Sequence, residues 1–119
     1  MKFTLKIKKN GTFRYILNNG KYASGKYLSV HITGNNSKKY KDKNFIGICI
    51  SKKNGNSVQR NKMKRWVREV YKNKEKEIKN NINFIFLYKK STTFEGLDFY
   101  KIEEDINYCF RKLDVYENS

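Results

Sequence analysis

The period of the apolar positions changes several times along the chain, and each change marks an element. From Asn56 to Lys72 the run N-S-V-Q-R-N-K-M-K-R-W-V-R-E-V-Y-K carries two interleaved sets of side chains. A helix of 3.6 residues per turn keeps the two sets apart. Met63, Trp66, Val67 and Val70 share one arc, while Arg60, Asn61, Lys64, Arg65 and Arg68 share the other. The spacing predicts a helix that buries the first arc, with Met63 and Trp66 as core, and offers the second to something anionic.

The other segments follow by the same reasoning. Residues 1–9 alternate Phe3, Leu5 and Ile7 among lysines, which predicts a basic arm lying extended on the domain, with a short strand as the alternative. Asn10 is an expected N-cap for a short helix with Phe13, Ile16 and Leu17 on its buried side and Gly20 at its end. Tyr27 to Thr33 alternates as a strand, Gly34 to Asn44 is a polar loop, and Phe45 to Ser51 is apolar enough for a central strand. The loop Lys52 to Asn56 leads into the basic helix, with Asn56 or Ser57 as its cap, and that helix is expected to run on into the mixed-charge stretch Lys72 to Lys79. Ile82 to Tyr88 reads as a second buried strand. Asp98 caps a last helix with the apolar stripe Phe99, Ile102, Ile106, Cys109, Phe110 and Leu113, and residues 114–119 form a short tail. The order is α-β-β-α-β-α, an α+β chain with helices packed on one small sheet.

Length sets this at one domain, residues 1–119. Charge then changes the picture, because 27 Lys and Arg against 11 Asp and Glu leave a net +16. Such a potential favours a polyanion, nucleic acid first among them. Residues 1–68 hold 18 of the cations and one acid, Asp42, while the remainder is close to neutral. Arg is the cleaner signal in so Lys-rich a chain, and three of its five Arg lie within nine residues on one helix face. Arg presents the planar fork suited to bidentate phosphate contact.

Candidate protein chemistry is sparse. Two Cys, Cys49 and Cys109, sit at apolar positions and are expected as buried reduced thiols in a cytoplasmic protein. No apolar run suits a signal peptide or a membrane span. A protein two-metal nuclease needs converging carboxylates, yet the basic half offers only Asp42, and Glu103, Glu104 and Asp105 splay around one helix. His31 has no partner at ligand spacing, so neither a catalytic nor a metal-binding residue is assigned. Phe13, Tyr27 and His31 are flat rings within the Lys-rich half, a combination suited to single-stranded nucleic acid.

The run F-I-G-I-C-I-S-K-K-N-G-N-S-V-Q-R-N-K-M-K-R-W-V-R-E resembles the signature of the bacterial ribonuclease P protein component. Gly47, Ser51, Lys52, Lys53, Gly55, Asn56, Arg60, Asn61, Lys64, Arg65, Arg68 and Glu69 fit its strand glycine, its S-K-K and G-N loop and its R-N-R helix. More weakly, Phe13, Ile16, Leu17 and Gly20 match its first helix, and Phe110, Arg111 and Lys112 its last. Lys62 departs from the third position of the R-N-R triplet. Leu17 and His31 stand where many relatives carry aromatics.

The resemblance implies an α/β sandwich with a mixed sheet, its parallel strands joined through the basic helix by a left-handed crossover. It also implies a subunit of a ribonucleoprotein that matures the 5′ end of precursor transfer RNA, one protein per RNA. The catalytic RNA and its magnesium ions would do the chemistry, and the protein would bind no cofactor itself. On this reading Lys52, Lys53, Arg60, Asn61, Lys62, Lys64, Arg65 and Arg68 meet the catalytic RNA. Phe13, Leu17, Tyr27 and His31 line a cleft for the single-stranded 5′ leader. The alternative is a generic basic RNA-binding or ribosome-associated protein without a role in cleavage, which has no reason to reproduce the S-K-K-x-G-N loop before such a helix. A helix-turn-helix DNA binder needs a helix where this chain has a strand.

Overall fold

The protein is described here by a computed structural model covering residues 3–35 and 37–117. In chain order its elements are β1 (Thr4–Lys6), α1 (Asn10–Asn19), β2 (Lys21–Ser24), β3 (Leu28–Gly34), β4 (Asn44–Cys49), α2 (Ser57–Lys74), β5 (Ile82–Tyr88) and α3 (Phe99–Lys112). Single 3-10 turns occupy Lys52–Asn54 and Glu75–Glu77. The five strands form one sheet in the order β1-β4-β5-β3-β2. β1 with β4 and β4 with β5 run parallel; β5 with β3 and β3 with β2 run antiparallel. The sheet is therefore mixed, and α2 connects its adjacent parallel strands β4 and β5.

Period-two alternation divides the core between two faces. Leu28, Val30, Ile46, Phe84 and Phe86 point to one face, where α2 and α3 bring Met63, Val67, Tyr71, Ile106 and Phe110. Ile85 points the other way, onto Ile16 of α1 and Ile7. The unbroken apolar run of β5 follows from this, since a strand at the middle of the sheet is covered on both sides. Each fully buried ring, such as Phe84, Phe86 or Phe110, contributes about 1.5–3 kcal/mol by leaving water.

Several boundaries differ from the sequence expectation. The N-terminal arm takes the alternative form, a short strand, β1: Asn44 donates its N–H to Phe3 O and Ile7 donates to Ile46 O, each at 3.0 Å. Thr4 is fixed from the other side, its hydroxyl donating to Glu75 Oε2 and lying against Tyr71 Oη, both at 2.6 Å. β2 also goes unmarked in the sequence, because only Ala23 of its four residues is buried. Its hairpin with β3 is held by Asp105, whose carboxylate accepts the backbone N–H groups of Lys26 (2.6 Å), Tyr27 (3.0 Å) and Leu28 (3.0 Å). The three acids thus splay over different faces of α3 as expected, Asp105 inward and Glu104 exposed.

Asn10 is the first helical residue of α1, after an N-cap, Lys9, that makes no side-chain cap bond. α2 runs into the mixed-charge stretch as far as Lys74, and the chain continues there as the 3-10 turn Glu75–Glu77. The expected tail is docked through residue 117: Val115 is buried and Tyr116 bridges to Ile78, while the last two residues lie outside the described set. Trp66 is half-buried and stacks on Phe94 at 5.6 Å, beside the core and not within it. Cys109 is buried, and burial chiefly, with the Asp105 charge second, raises its thiol to about 11. Cys49 is only half-buried, with its thiol pushed up by the same desolvation.

Candidate nucleic-acid interface

The basic helix begins at a tightly specified corner. Asn54, fully buried, donates from Nδ2 to Lys89 O (2.8 Å) and Thr92 O (2.7 Å), and its Oδ1 accepts from Ser51 N–H (2.9 Å). One amide thereby ties the turn carrying exposed Lys52 and Lys53 to the loop after β5. Asn56 caps α2 by accepting Gln59 N–H at 2.9 Å, and Gln59 Oε1 accepts Asn56 N–H at 3.0 Å. This is a reciprocal capping box. A Cβ on Gly55 would lie 2.7 Å from Gln59 Oε1, so glycine is what admits the box.

From that corner Met63, Val67, Val70 and Tyr71 turn into the core. Arg60, Lys64 and Arg68, one turn apart, form a row along the rim, with Asn61 and Arg65 exposed beside it. Among the described residues the ion pair recorded is Lys79 with Asp114 at 3.6 Å, so no carboxylate neutralises this row. Arg60 Nη2 reaches Ser57 Oγ at 3.3 Å, while its Nε is buried without a partner. Lys62 stands apart, with Nζ 5.8 Å from the ring centroids of both Trp66 and Phe94, on the opposite flank from Arg60 and Lys64.

A second surface lies on the α1 side of the sheet. Register places Gly47, Ile85, His31 and Tyr22 in one row across β4, β5, β3 and β2. The Phe13 ring lies on Gly47, where a Cβ would sit 2.5 Å from it; any side chain there would lift the ring. Leu17 packs half-buried against the same cluster. His31 Nε2 lies 2.9 Å from Ser29 Oγ, and its ring stacks on Tyr22 at 5.4 Å with 21° between planes. Burial lowers the His31 pKa from its ordinary 6.5, so the ring is neutral at physiological pH.

Phe13, Leu17 and His31 are thus brought together. Tyr27 is not, since it precedes β3 and packs on the opposite, α3-side cluster. Tyr22, absent from the sequence-predicted set, takes its place on this face and is 66% exposed. The available signal was its position two residues after the helix-ending Gly20, which becomes informative only once β2 is known to pair with β3.

The two surfaces meet at the sheet edge. β1 pairs with β4 only as far as Ile46. Beyond it, a hollow of about 180 Å³ opens between Phe13 and Gly47 on one side and Lys64 and Arg68 on the other. Among the described residues no group of three or more His, Cys, Asp or Glu is arranged to hold a metal ion. No helix there is long and apolar enough to cross a membrane.

An α+β domain with an uncompensated Arg/Lys helix beside an aromatic-lined sheet face belongs to the class of RNA-binding subunits. The family model described as Ribonuclease P matches residues 1–114. The chain is 37% identical over 111 residues to the ribonuclease P protein component of Dictyoglomus turgidum, covering 92% of this chain and 89% of the relative. It is 34% identical over 112 residues to that of Clostridium botulinum strain 657, covering 93% and 96%. The Staphylococcus aureus RNase P protein superposes with a TM-score of 0.80 at 28% identity, over 94% of this chain and 97% of that one. The Thermotoga maritima RNase P protein does so with 0.74 at 27%, over 87% and 92%. This chain belongs to the ribonuclease P protein family, as a protein component of the ribonucleoprotein with an RNA partner.

Proposed function

We propose that the chain holds the catalytic RNA of ribonuclease P against the α2 row and the Lys52–Lys53 turn, and takes the single-stranded 5′ leader of precursor transfer RNA into the α1 cleft. One protein serves one RNA in the cytoplasm, and the RNA with its magnesium ions cleaves the phosphodiester. The protein contributes positioning and charge. What supports this reading above all is the uncompensated row Arg60, Lys64 and Arg68, which meets the ring of Phe13 across one hollow. A polyanion can pass from one surface to the other without leaving positive potential. The carboxylates support it too: among the described residues the two buried acids are held by structural hydrogen bonds, Asp105 by three backbone N–H groups and Glu75 by the Thr4 hydroxyl and Phe3 N–H.

Reconstitution with the host's ribonuclease P RNA, followed by cleavage of precursor transfer RNA at low magnesium, tests the reading. The protein is expected to stimulate cleavage and to favour precursor over mature transfer RNA, and Phe13→Ala to narrow that preference while binding the catalytic RNA as before. Equal affinity for substrates with leaders of zero to eight nucleotides would remove the cleft from the account. RNA-free protein is expected to turn over no precursor. Activity that survives purification and vanishes on mutating one carboxylate would overturn the division of labour.

A further inference from the structure

Tyr22 is the unexplained ring on this face. It sits on the edge strand β2, in register with His31, Ile85 and Gly47, and therefore faces the same way as Phe13. Phe13 lies over Gly47, three strand spacings or roughly 14 Å from Tyr22. One face of the Tyr22 ring rests on His31; no other ring of the described residues covers it, and two-thirds of the residue is open to water.

The support beneath the ring is a half-buried side chain held at one ring nitrogen. His31 is fixed by Ser29 Oγ, and its neutral state places no cation under the tyrosine. Lys21 and Lys26, both exposed, flank the same hairpin. A flat ring backed by a second ring and open on its other face suits an unpaired base.

We propose that Tyr22 is a base-stacking residue of the leader cleft, receiving a nucleotide beyond the one that meets Phe13 and extending the bound length of single strand across the whole sheet. This rests on the leader reading given above. It also assigns the stacking surface of this chain where Leu17 and His31 offer little: the histidine becomes the backing of the platform and the tyrosine its outer surface.

The test uses the reconstituted particle and precursors with leaders of zero to eight nucleotides, and then long-leader precursors with one abasic site at each leader position in turn. Tyr22→Ala is expected to lower affinity for long-leader precursor roughly five- to tenfold, with Tyr22→Phe within about twofold of wild type. Affinity for leaderless substrate and for the catalytic RNA should not change. An abasic site at one leader position should weaken wild type and leave Tyr22→Ala unaffected, the non-additivity of a direct contact. If Tyr22→Ala matches wild type at every length while Phe13→Ala loses leader discrimination, the cleft is used and Tyr22 is not part of it. An equal loss with leaderless substrate would also overturn the assignment, as a structural effect. If wild type itself ignores leader length, the underlying reading falls, and this one with it.

Discussion

Among single residues, the two flanks of α2 should behave differently. Arg60→Ala, Arg65→Ala and Arg68→Ala are each expected to weaken binding of the catalytic RNA and to lower the slope of log affinity against log salt by about one per lost phosphate contact. Lys62→Ala should leave that slope near wild type, because its ammonium lies over Trp66 and Phe94. A salt titration of all four separates the flanks. Trp66→Ala, at a position that the helical wheel marks as core, should cost only about 2 kcal/mol, since the ring is half-buried, packing against the edge of the core and stacking on Phe94. Urea denaturation should show one cooperative transition at lower midpoint. His31 supplies a pH dependence. Its folded pKa lies below the unfolded 6.5, so its contribution is fully present above that value and is lost as pH falls through the folded one. His31→Gln should therefore flatten the decline in urea midpoint on acidification below 6.5, and equal declines in both proteins would refute it. The Arg row was legible because charge spacing is a local property. Tyr22 and Asp105 were not, because each acquires its role from a strand pairing or a turn far away in sequence.

Whole elements divide along the same line. α2, β5 and α3 were legible because a long periodic segment with its own caps carries enough local information to define itself; β5 runs Ile82–Tyr88 as the apolar run predicted, and Asp98 caps α3 by accepting Lys101 N–H at 2.9 Å. β1 and β2, at three and four residues, carry no such information and exist through their partners. The loop before α2 is the element where fold and interface depend on one residue. Asn54→Ala would strand the carbonyls of Lys89 and Thr92 and the N–H of Ser51 in a buried corner, at a cost of about 2–3 kcal/mol. Because the same turn displays Lys52 and Lys53, the variant should lose affinity for the catalytic RNA even where it remains folded, measured below its unfolding transition. Wild-type affinity in the folded variant would show that the turn does not position these lysines.

Across the whole molecule, the lopsided charge acquires a geometry: α1, the β4 edge and α2 put the basic half of the sequence around one rim, while near-neutral α3 covers the far face. The sequence showed that asymmetry but not the join at the β4 edge, which depends on β1 stopping at Lys6. That short first strand also bears on how the protein is made. A chain emerging from the ribosome presents β1 before anything it can pair with. Its neighbour β4 comes some forty residues later, and the side chains that grip Thr4 lie 67 and 71 positions downstream. Contacts so distant close late. The nascent chain should therefore carry an untethered basic lead segment until α2 clears the exit tunnel, free to touch ribosomal RNA before its own partner. Limited proteolysis of stalled chains checks this: residues 3–7 should be cut when Glu75 is still inside the tunnel and protected once it is out, and early protection would mean that the first strand docks without its grip.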